Sequence, residues 1–461
     1  MNKPLNVFIL NTPHDNWENH LIKSFKNKNI INNAIVQKAA GESKKLFLRM
    51  GSKGLEGEYE YVPQDVYAHV YSHLFEFMDM YSRVNLTNSG NYNELNVHQL
   101  LDHFNLILNY YYRLFTENDI DLFIHNNSPH VGYDFIPNIL AERLGIKTLY
   151  LEQSIFPNRF YYYWKYKDYG TFSTSEKVFK LPRPIKLVQK FEKDIPYMKS
   201  VRRERLDFSR IRNIKDLDSE LDKNWLAYRL LKEVIRSNSR GQALSRYRLR
   251  RQYDKYRKGF SHNIDLDSPF VYFGLHLQPE KSTSSWGGIY ADQALALEHL
   301  SAILPSKWKI YVKENPKQTY FMRNPEFFRR LERIPNLELV SPAYNTYDLI
   351  KNAKLCATIT GTIGWESITG GKPVIVFGWG VWYRTLPGVI NFSPDLDLEK
   401  ISTMNVNFSE LESEFYKLTE KLAPGIILNE YYPSIYEDYN EEKNNETVTK
   451  SIEAIINSEL K

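Results

Sequence analysis

Short apolar runs recur along the chain, each closed by polar or glycine-rich residues, and most are too short to be helices. Residues 7–10 read as a first strand and 16–25 as the helix after it. Residues 62–115 are helix-rich and aromatic, with Tyr110, Tyr111 and Tyr112 in succession. From Ile120 the rhythm is clear: IDLFIHNN is a strand with a polar end, 137–144 a helix stopped by Gly145, and KTLYLEQS the next strand. Between about 171 and 262 the pattern turns basic and helical, with Pro182, Pro184 and Pro196 near its start. Alternation returns at Asp267. It gives strands at 269–277, 308–312, 337–340, 355–359 and 374–377, with helices at 290–304, 346–352 and 363–369. A polar amphipathic helix at 441–460 closes the chain.

Strands alternating with helices predict open, mostly parallel α/β sheets. A length of 461 residues exceeds one core. The expected organisation is an N-terminal Rossmann-like acceptor domain over 1–175 and a basic helical connector or insertion over 176–262. A Rossmann-like nucleotide-sugar domain over 263–425 and a C-terminal helical segment over 426–461 complete it.

Residues 354–378, KLCATITGTIGWESITGGKPVIVFG, form the most informative stretch: strand, turn, helix, strand. Its turn brings backbone N–H groups, the hydroxyls of Thr360 and Thr362, Gly361 and a helix N-terminus to one point, which suits phosphate. Glu366, early in the helix, is placed to accept bonds from a ribose diol. The plainer alternative is a βαβ unit whose glycines and proline only make turns.

Ligands of open α/β sheets bind at the carboxyl ends of strands. In the first half that rim carries Asn126, Asn127, His130, Glu152 and Gln153. A lone histidine is ordinarily structural, but His130 follows a strand end directly and is a candidate base or acceptor ligand. In the second half the loops after Leu277 and Val312 carry Gln278, Glu280, Lys281, Ser282 and Thr283, and Lys313 to Gln318. Lys313 and Lys317 are candidates to neutralise phosphate, against the usual fate of a solvated surface lysine. A further loop, 378–384, is rich in glycine and aromatic residues and includes Trp382 and Tyr383.

Composition changes this picture little. Hydrophobic residues make up 42% and charged residues 25%, ordinary for a soluble globular chain. One cysteine, Cys356, excludes an internal disulfide and sits in an apolar run, where it is most simply core. No run approaches bilayer-spanning length and the first residues hold none of signal-peptide length, so a cytoplasmic location is expected. The 33 tyrosines suit sugar stacking or an interface, although crowded aromatic cores are the commoner cause. Net charge is only +5, yet arginine is dense at 202–212 and from Arg236 to Lys258. Anionic lipid would suit such a surface, and a solvated helical face equally so. No nucleic-acid-binding motif accompanies it, so no nucleic-acid partner is expected.

Taken together, QPEKST with Gly287-Gly288 and Asp292-Gln293, then VKENPKQ, then TITGTIGWESITGGKPVIVFG and a Trp-Tyr pair resemble bacterial capsule-polysaccharide biosynthesis transferases. Relatives of that kind transfer 3-deoxy-manno-octulosonate (Kdo) from its CMP-activated form. The resemblance covers about 270–384 well and 121–157 weakly. It implies a GT-B glycosyltransferase: two Rossmann-like domains facing a cleft, no cofactor beyond the CMP-sugar co-substrate, no metal, and transfer with retention. It implies donor-phosphate contacts from Lys313, Glu314, Asn315 and Pro316, with Asn315 where histidine is usual; asparagine donates a hydrogen bond but no proton. Thr360, Gly361 and Thr362 would meet the CMP phosphate and Glu366 the ribose. Glu280 inherits the active-site carboxylate, with Asp292 as runner-up and His130 as a further catalytic candidate. Gln278, Lys281, Ser282, Thr283, Asn127, Gln153, Trp382 and Tyr383 are the expected donor and acceptor contacts. The acceptor would be a cell-surface polysaccharide or glycolipid at the inner membrane face. A different nucleotide sugar, CDP-glycerol, or a silent binding subunit of a capsule assembly complex stay open as alternatives.

Overall fold

A computed structural model describes residues 3–11, 16–38, 59–88, 97–190, 240–278, 280–318, 320, 323–428 and 439–459, which fold around two six-stranded sheets. The first is built from β1 (Leu5–Asn11), α1 (Trp17–Asn27), β2 (Ile31–Lys38), α2 (Gln64–Tyr71), α3 (Leu74–Asn88) and α4 (Val97–Glu117). It continues with β3 (Leu122–Asn126), α5 (Ile136–Arg143), β4 (Lys147–Gln153) and β5 (Arg159–Tyr163). Strands β1 to β4 pair in parallel, and β5 turns back antiparallel to β4.

Residues 176–190 hold no regular element, which departs from the helical connector expected there. Pro182 and Pro184 explain it, since proline removes a backbone donor and clashes with the preceding turn. Arg202, Arg203, Arg205, Arg210, Arg212 and Arg236 lie outside the described residues, as do the side chains of Arg240 and Arg246.

The second sheet begins after α6 (Arg240–Arg257) and runs β6 (Phe270–Gly274), α7 (Lys281–Ser284), α8 (Gln293–Ala302), β7 (Lys309–Lys313), α9 (Pro325–Glu332) and β8 (Leu337–Val340). Then follow α10 (Thr346–Asn352), β9 (Leu355–Thr358), α11 (Thr362–Thr369), β10 (Val374–Val376), β11 (Val389–Asn391), α12 (Leu398–Ser402) and α13 (Phe408–Thr419). All six strands are parallel, in the order β11-β10-β9-β6-β7-β8. The chain reverses direction of winding between β6 and β9, the doubly wound arrangement whose crevice receives ligands. The chain then returns to the first sheet: β12 (Ala423–Pro424) pairs antiparallel with β5, and α14 (Glu441–Glu459) packs on α1. Lys28 and Glu453 join those two helices at 2.6 Å.

Both sheets are buried on both faces, which is why parallel strands read as continuous apolar runs. Along β1, Phe8 and Leu10 enter one core layer, and Val7 and Ile9 the layer on the opposite face. Along β6, Val271 and Phe273 face one layer and Phe270 and Tyr272 the other. That last layer continues into the seam between the units, where Tyr169 stacks on Trp286 at 4.5 Å and Phe156 meets Trp382 edge-on at 5.4 Å. Gly170 lets the backbones touch: its φ is +98°, and a Cβ there would stand 2.1 Å from the Val381 carbonyl oxygen. Among the described residues no helix is long and apolar enough to cross a membrane.

Candidate functional site

The parallel register aligns the ends of β6, β7 and β9, pairing Gly274 with Lys313 and Phe273 with Ala357. The loops after these three strands therefore share one edge. Arg323 locks two of them together. Its guanidinium is fully buried, and it grips Glu314 through Nε at 2.8 Å and Nη2 at 3.2 Å. It also donates to Gln278 Oε1 at 2.8 Å and to the His276 carbonyl at 3.1 Å. Gln278 and Gln318 add a reciprocal pair between the loops, at 2.8 and 2.9 Å. Gln293 holds the His276 N–H at 2.7 Å and the Gln278 side chain at 2.7 Å.

The third loop is tied in by His276. Its Nε2 faces Thr358 Oγ1 at 2.7 Å and the Thr360 N–H at 3.4 Å, so the nitrogen accepts and the Thr358 hydroxyl donates. Burial first, and the Arg323 charge second, hold the His276 imidazole down to about 3, so it is neutral at physiological pH. Thr358 Oγ1 accepts from Gly361 N–H at 3.2 Å, and the Thr360 hydroxyl donates to Ser282 O at 2.6 Å. Tyr383 closes the turn from below by donating to Gly361 O.

This leaves a specific set of groups for an anion. No side chain caps α11, and neither the Thr362 N–H and hydroxyl nor the Ile363 N–H takes a partner among the described residues. Uncapped N–H groups at a helix start favour negative charge. Asn315 Oδ1 accepts the Lys317 N–H at 3.0 Å, which leaves its amide nitrogen as a donor. Glu280 reaches solvent but is ringed by protein. That desolvation pushes its carboxyl upward, opposed by the Ser282 hydroxyl at 3.2 Å and the nearby Lys317 charge.

Other expected contacts are committed elsewhere. Glu314 is held by Arg323, and Gln278 belongs to the same knot. Lys313 donates to Tyr344 O at 2.5 Å and Thr346 Oγ1 at 2.7 Å rather than towards the phosphate turn. Asp292 is the N-cap of α8, accepting from Ala294 and Leu295, and pairs with Arg330 at 2.7 Å. Thr283 is buried with its hydroxyl on Leu277 O, and Gln153 accepts from the Ile427 N–H at 2.9 Å. Trp382 and Tyr383 are core. Glu366 is only 1% exposed, below the turn beside Tyr383 and Tyr272, so it presents no accessible oxygen to a ribose in this arrangement. Pro316 lies exposed in the turn that Asn315 begins. Cys356 is core, and burial pushes its thiol up to about 12.

The first sheet faces this edge with its own strand ends. The His130 N–H donates to Asp134 at 3.0 Å, and His130 Nδ1 lies 3.0 Å from Ser128 O. A carbonyl only accepts, so Nδ1 carries the proton and Nε2 is left as the basic nitrogen. Asp134 Oδ2 lies 3.4 Å from the same Nδ1. Burial raises the Asp134 carboxyl, but the His130 contacts, together with His125 and the Val131 N–H, hold the group below its ordinary value.

A further ion pair links the loops of the two sheets. Lys281 Nζ, from α7, reaches both Glu152 oxygens at 2.6 Å and also Asn127 Oδ1. It stands 4.6 Å from the centre of the Trp286 ring. Burial lowers the Lys281 ammonium, with Glu152 opposing. Glu152 Oε2 in turn accepts from the Ser128 N–H and hydroxyl, each at 2.9 Å. Residues that sequence reasoning missed are Arg323, His276, Thr358 and Asp134; only the Asn324-Pro325 helix start after Arg323 left a readable local signal. Among the described residues no group of three or more His, Cys, Asp or Glu side chains is placed to hold a metal ion.

Residues 281–391, which contain α7 and the turn before α11, match the family described as Capsule polysaccharide biosynthesis protein. No curated protein matches the chain. Among solved structures the chain is similar to KpsC, beta Kdo 2,7 transferase, of Thermosulfurimonas dismutans. Identity is 11% over 90% of this chain and 98% of that one, with a TM-score of 0.30. It is similar to the beta Kdo 2,4 transferase of KpsC from the same organism, at 13% identity over 68% and 85% of the two chains, TM-score 0.27. It is also similar to UDP-GlcNAc 2-epimerase of Methanocaldococcus jannaschii, at 13% identity over 90% and 99%, TM-score 0.24. Likenesses at such scores specify neither substrate nor chemistry.

The neutral, buried His276 generates a stability prediction. Its folded pKa of about 3 lies below the unfolded value of about 6.5, so between the two the unfolded chain binds the extra proton. Stability therefore falls as pH drops through that window, and His125, held down to about 4 by burial, adds to the same trend. Urea midpoints measured from pH 7 to 4.5 are expected to fall less steeply in His276→Gln than in the wild type. Equal slopes would show that His276 protonation is not coupled to unfolding.

Proposed function

We propose that this protein is a glycosyltransferase of capsule-polysaccharide biosynthesis that moves a 2-keto-3-deoxy sugar acid, Kdo or a related nonulosonate, from its CMP-activated form to a polysaccharide or glycolipid. The observation that carries the reading is the crevice between β6 and β9: the turn after β9 and the β6 connection from Lys281 onward fall within the segment matching the capsule-synthesis family. The uncapped start of α11, the Thr362 hydroxyl and the Asn315 amide would hold the nucleotide phosphate, with Lys317 adding charge.

In the proposed chemistry the Glu280 carboxylate attacks the anomeric carbon, and the bond to CMP breaks with its electron pair leaving on the phosphate oxygen. An acceptor hydroxyl then attacks the same carbon. His130 Nε2 takes its proton, and Glu280 departs as the free carboxylate. Two displacements give net retention. Exposed Arg248, Arg251, Lys255 and Lys258 fall at spacings of three and four residues on and just after α6, forming one basic stripe. That stripe would meet anionic lipid at the inner membrane face.

Calorimetry with CMP, UMP and GMP tests the site first. CMP is expected to bind best, and Thr362→Val to weaken it about tenfold, since a hydrogen bond to a charged group contributes about 1.5–3 kcal/mol. No nucleotide binding by the wild type would remove the reading. A donor-turnover assay then separates an enzyme from a silent subunit.

The pH profile of transfer tests Glu280. An ionised nucleophile whose pKa is raised should lose activity as pH falls through a value above the ordinary glutamate range of about 4.3. Lys317 holds that pKa down, so Lys317→Gln should move the acid limb to higher pH. An unmoved limb would detach Glu280 from the profile.

Vesicle flotation tests the basic stripe. Binding should need anionic lipid and weaken with salt, because screening acts within about 8 Å at physiological ionic strength. Equal binding to neutral vesicles would return α6 to a solvated face.

A further inference from the structure

His130, the base in the reading above, sits on a loop whose shape is held from two sides. On one side Asp134 accepts the His130 and Val131 N–H groups, at 3.0 Å each. On the other the holds fall on Asn127 and Ser128. Pro129 follows Ser128, so the peptide between them has no N–H of its own to fix it. The carbonyl of that peptide is nevertheless the closer acceptor for His130 Nδ1, at 3.0 Å against 3.4 Å for Asp134 Oδ2. Its orientation therefore bears on which ring nitrogen is basic, and that orientation follows from what grips Ser128 and Asn127.

The grip comes from Glu152 and Lys281. Ser128 is fully buried, and its N–H and hydroxyl both donate to Glu152 Oε2 at 2.9 Å. The Tyr163 hydroxyl then donates to Ser128 Oγ. Asn127 has a left-handed φ of 74°, an uncommon backbone state, and Lys281 holds its side-chain oxygen. Glu152 is itself buried, and Lys281 Nζ meets both of its oxygens at 2.6 Å. Without that ammonium the buried carboxylate is uncompensated, and turning towards water would release both Ser128 donors. Lys281 comes from α7 in the second unit, and Glu280 is the N-cap residue of the same helix.

Resting on the reading of His130 as the base, we infer that Lys281 and Glu152 are positioning residues for it. The contacts run from Lys281 to Glu152, from Glu152 to the Ser128 N–H and hydroxyl, and from the Ser128 carbonyl to His130 Nδ1. They hold a proton on Nδ1 and leave Nε2 to take the proton of the acceptor hydroxyl. Because Lys281 belongs to the second unit, the base is set only while α7 is docked against the first sheet. The docking that brings in the loop of Glu280 thus also readies His130.

The test reads the His130 tautomer directly, by long-range proton–nitrogen NMR on the full chain with isotope-labelled histidine. Loss of one signal set in His130→Gln assigns the residue among the 11 histidines. The wild type is expected to show one tautomer, with a protonated Nδ1 and an unprotonated Nε2. In Lys281→Met and in Glu152→Ala both nitrogen shifts should move towards the average of the two tautomers. Both variants should also lose about tenfold or more in kcat, with donor KM and CMP affinity little changed. A mixed or Nε2-protonated His130 in the wild type overturns the assignment without any variant. Wild-type shifts retained in Lys281→Met overturn it too, whatever stability that variant loses, and would make Asp134 the holder of the tautomer. Absence of CMP binding and transfer by the wild type is a different result: it overturns the glycosyltransferase reading, and with it the catalytic role given to the pair.

Discussion

The Arg323 guanidinium is the constraint on which the second sheet's working edge depends. A buried cation is tolerated only when paired and fully hydrogen-bonded, and Arg323 meets both terms: two bonds to Glu314, one to Gln278 and one to the His276 carbonyl. Removing one partner of such a pair costs about 3–5 kcal/mol, because the other charge is left uncompensated. Its consequence here is geometric. Arg323 fixes the loop after β6 against the loop after β7, and His276 then fixes the β6 loop against the turn after β9. Three loops from three strands act as one rigid surface, the condition for holding a charged ligand without reorganisation at each turnover.

Strand ends were legible in the sequence because parallel strands buried on both faces leave apolar runs closed by polar residues. All five strands expected after Asp267 are present, and the turn before α11 lies where 354–378 placed it. Edge and short strands were not legible. In β2, Asn32 and Asn33 interrupt the run; β5 is RFYYY, and β12 is two residues long. Side-chain commitments were less legible still. Lys313 and Glu314 sit where ligand contacts belong, but their partners, Thr346 and Arg323, lie 33 and 9 residues further on. Asp292 was read inside the first turn of a helix; the helix instead starts after it, and its carboxylate caps two N–H groups. Sequence spacing locates a loop on an edge but does not say which way a side chain turns.

The aromatic abundance has a structural location. Tyr166 meets Trp379 at 5.1 Å, Tyr169 stacks on Trp286, and Phe156 lies against both Trp382 and Phe415. These are contacts between the two units, supplied by loops on each side. Trp286 joins two functions, since its other neighbour is the Lys281 ammonium. Gly378 and Gly380 press against Trp286, so the loop after β10 depends on having no side chains there. The seam is thus close-packed, and charged links cross it at Lys281 with Glu152 and Asn127, at Lys177 with Glu420 and at Lys421 with the Phe172 carbonyl.

The two catalytic candidates differ in what they imply about stereochemistry. His130 is set up as a base by its hydrogen bonds: Nδ1 must donate to Ser128 O, Asp134 stabilises that tautomer, and Nε2 accepts. A base of this kind is needed whether the acceptor hydroxyl attacks the donor directly or attacks an enzyme-bound sugar. Glu280 is needed only in the second route, since a single displacement inverts the anomeric carbon and uses no nucleophile from the protein. The question of retention therefore reduces to one side chain in the loop after β6. That loop is held by Arg323, His276 and the Thr360 hydroxyl, whereas Glu280 itself accepts a bond from Ser282 two residues away. A rigid loop carrying a locally held carboxylate near the Lys317 charge fits a nucleophile better than a group meant only to bind, because the approach to the reacting carbon must be reproducible.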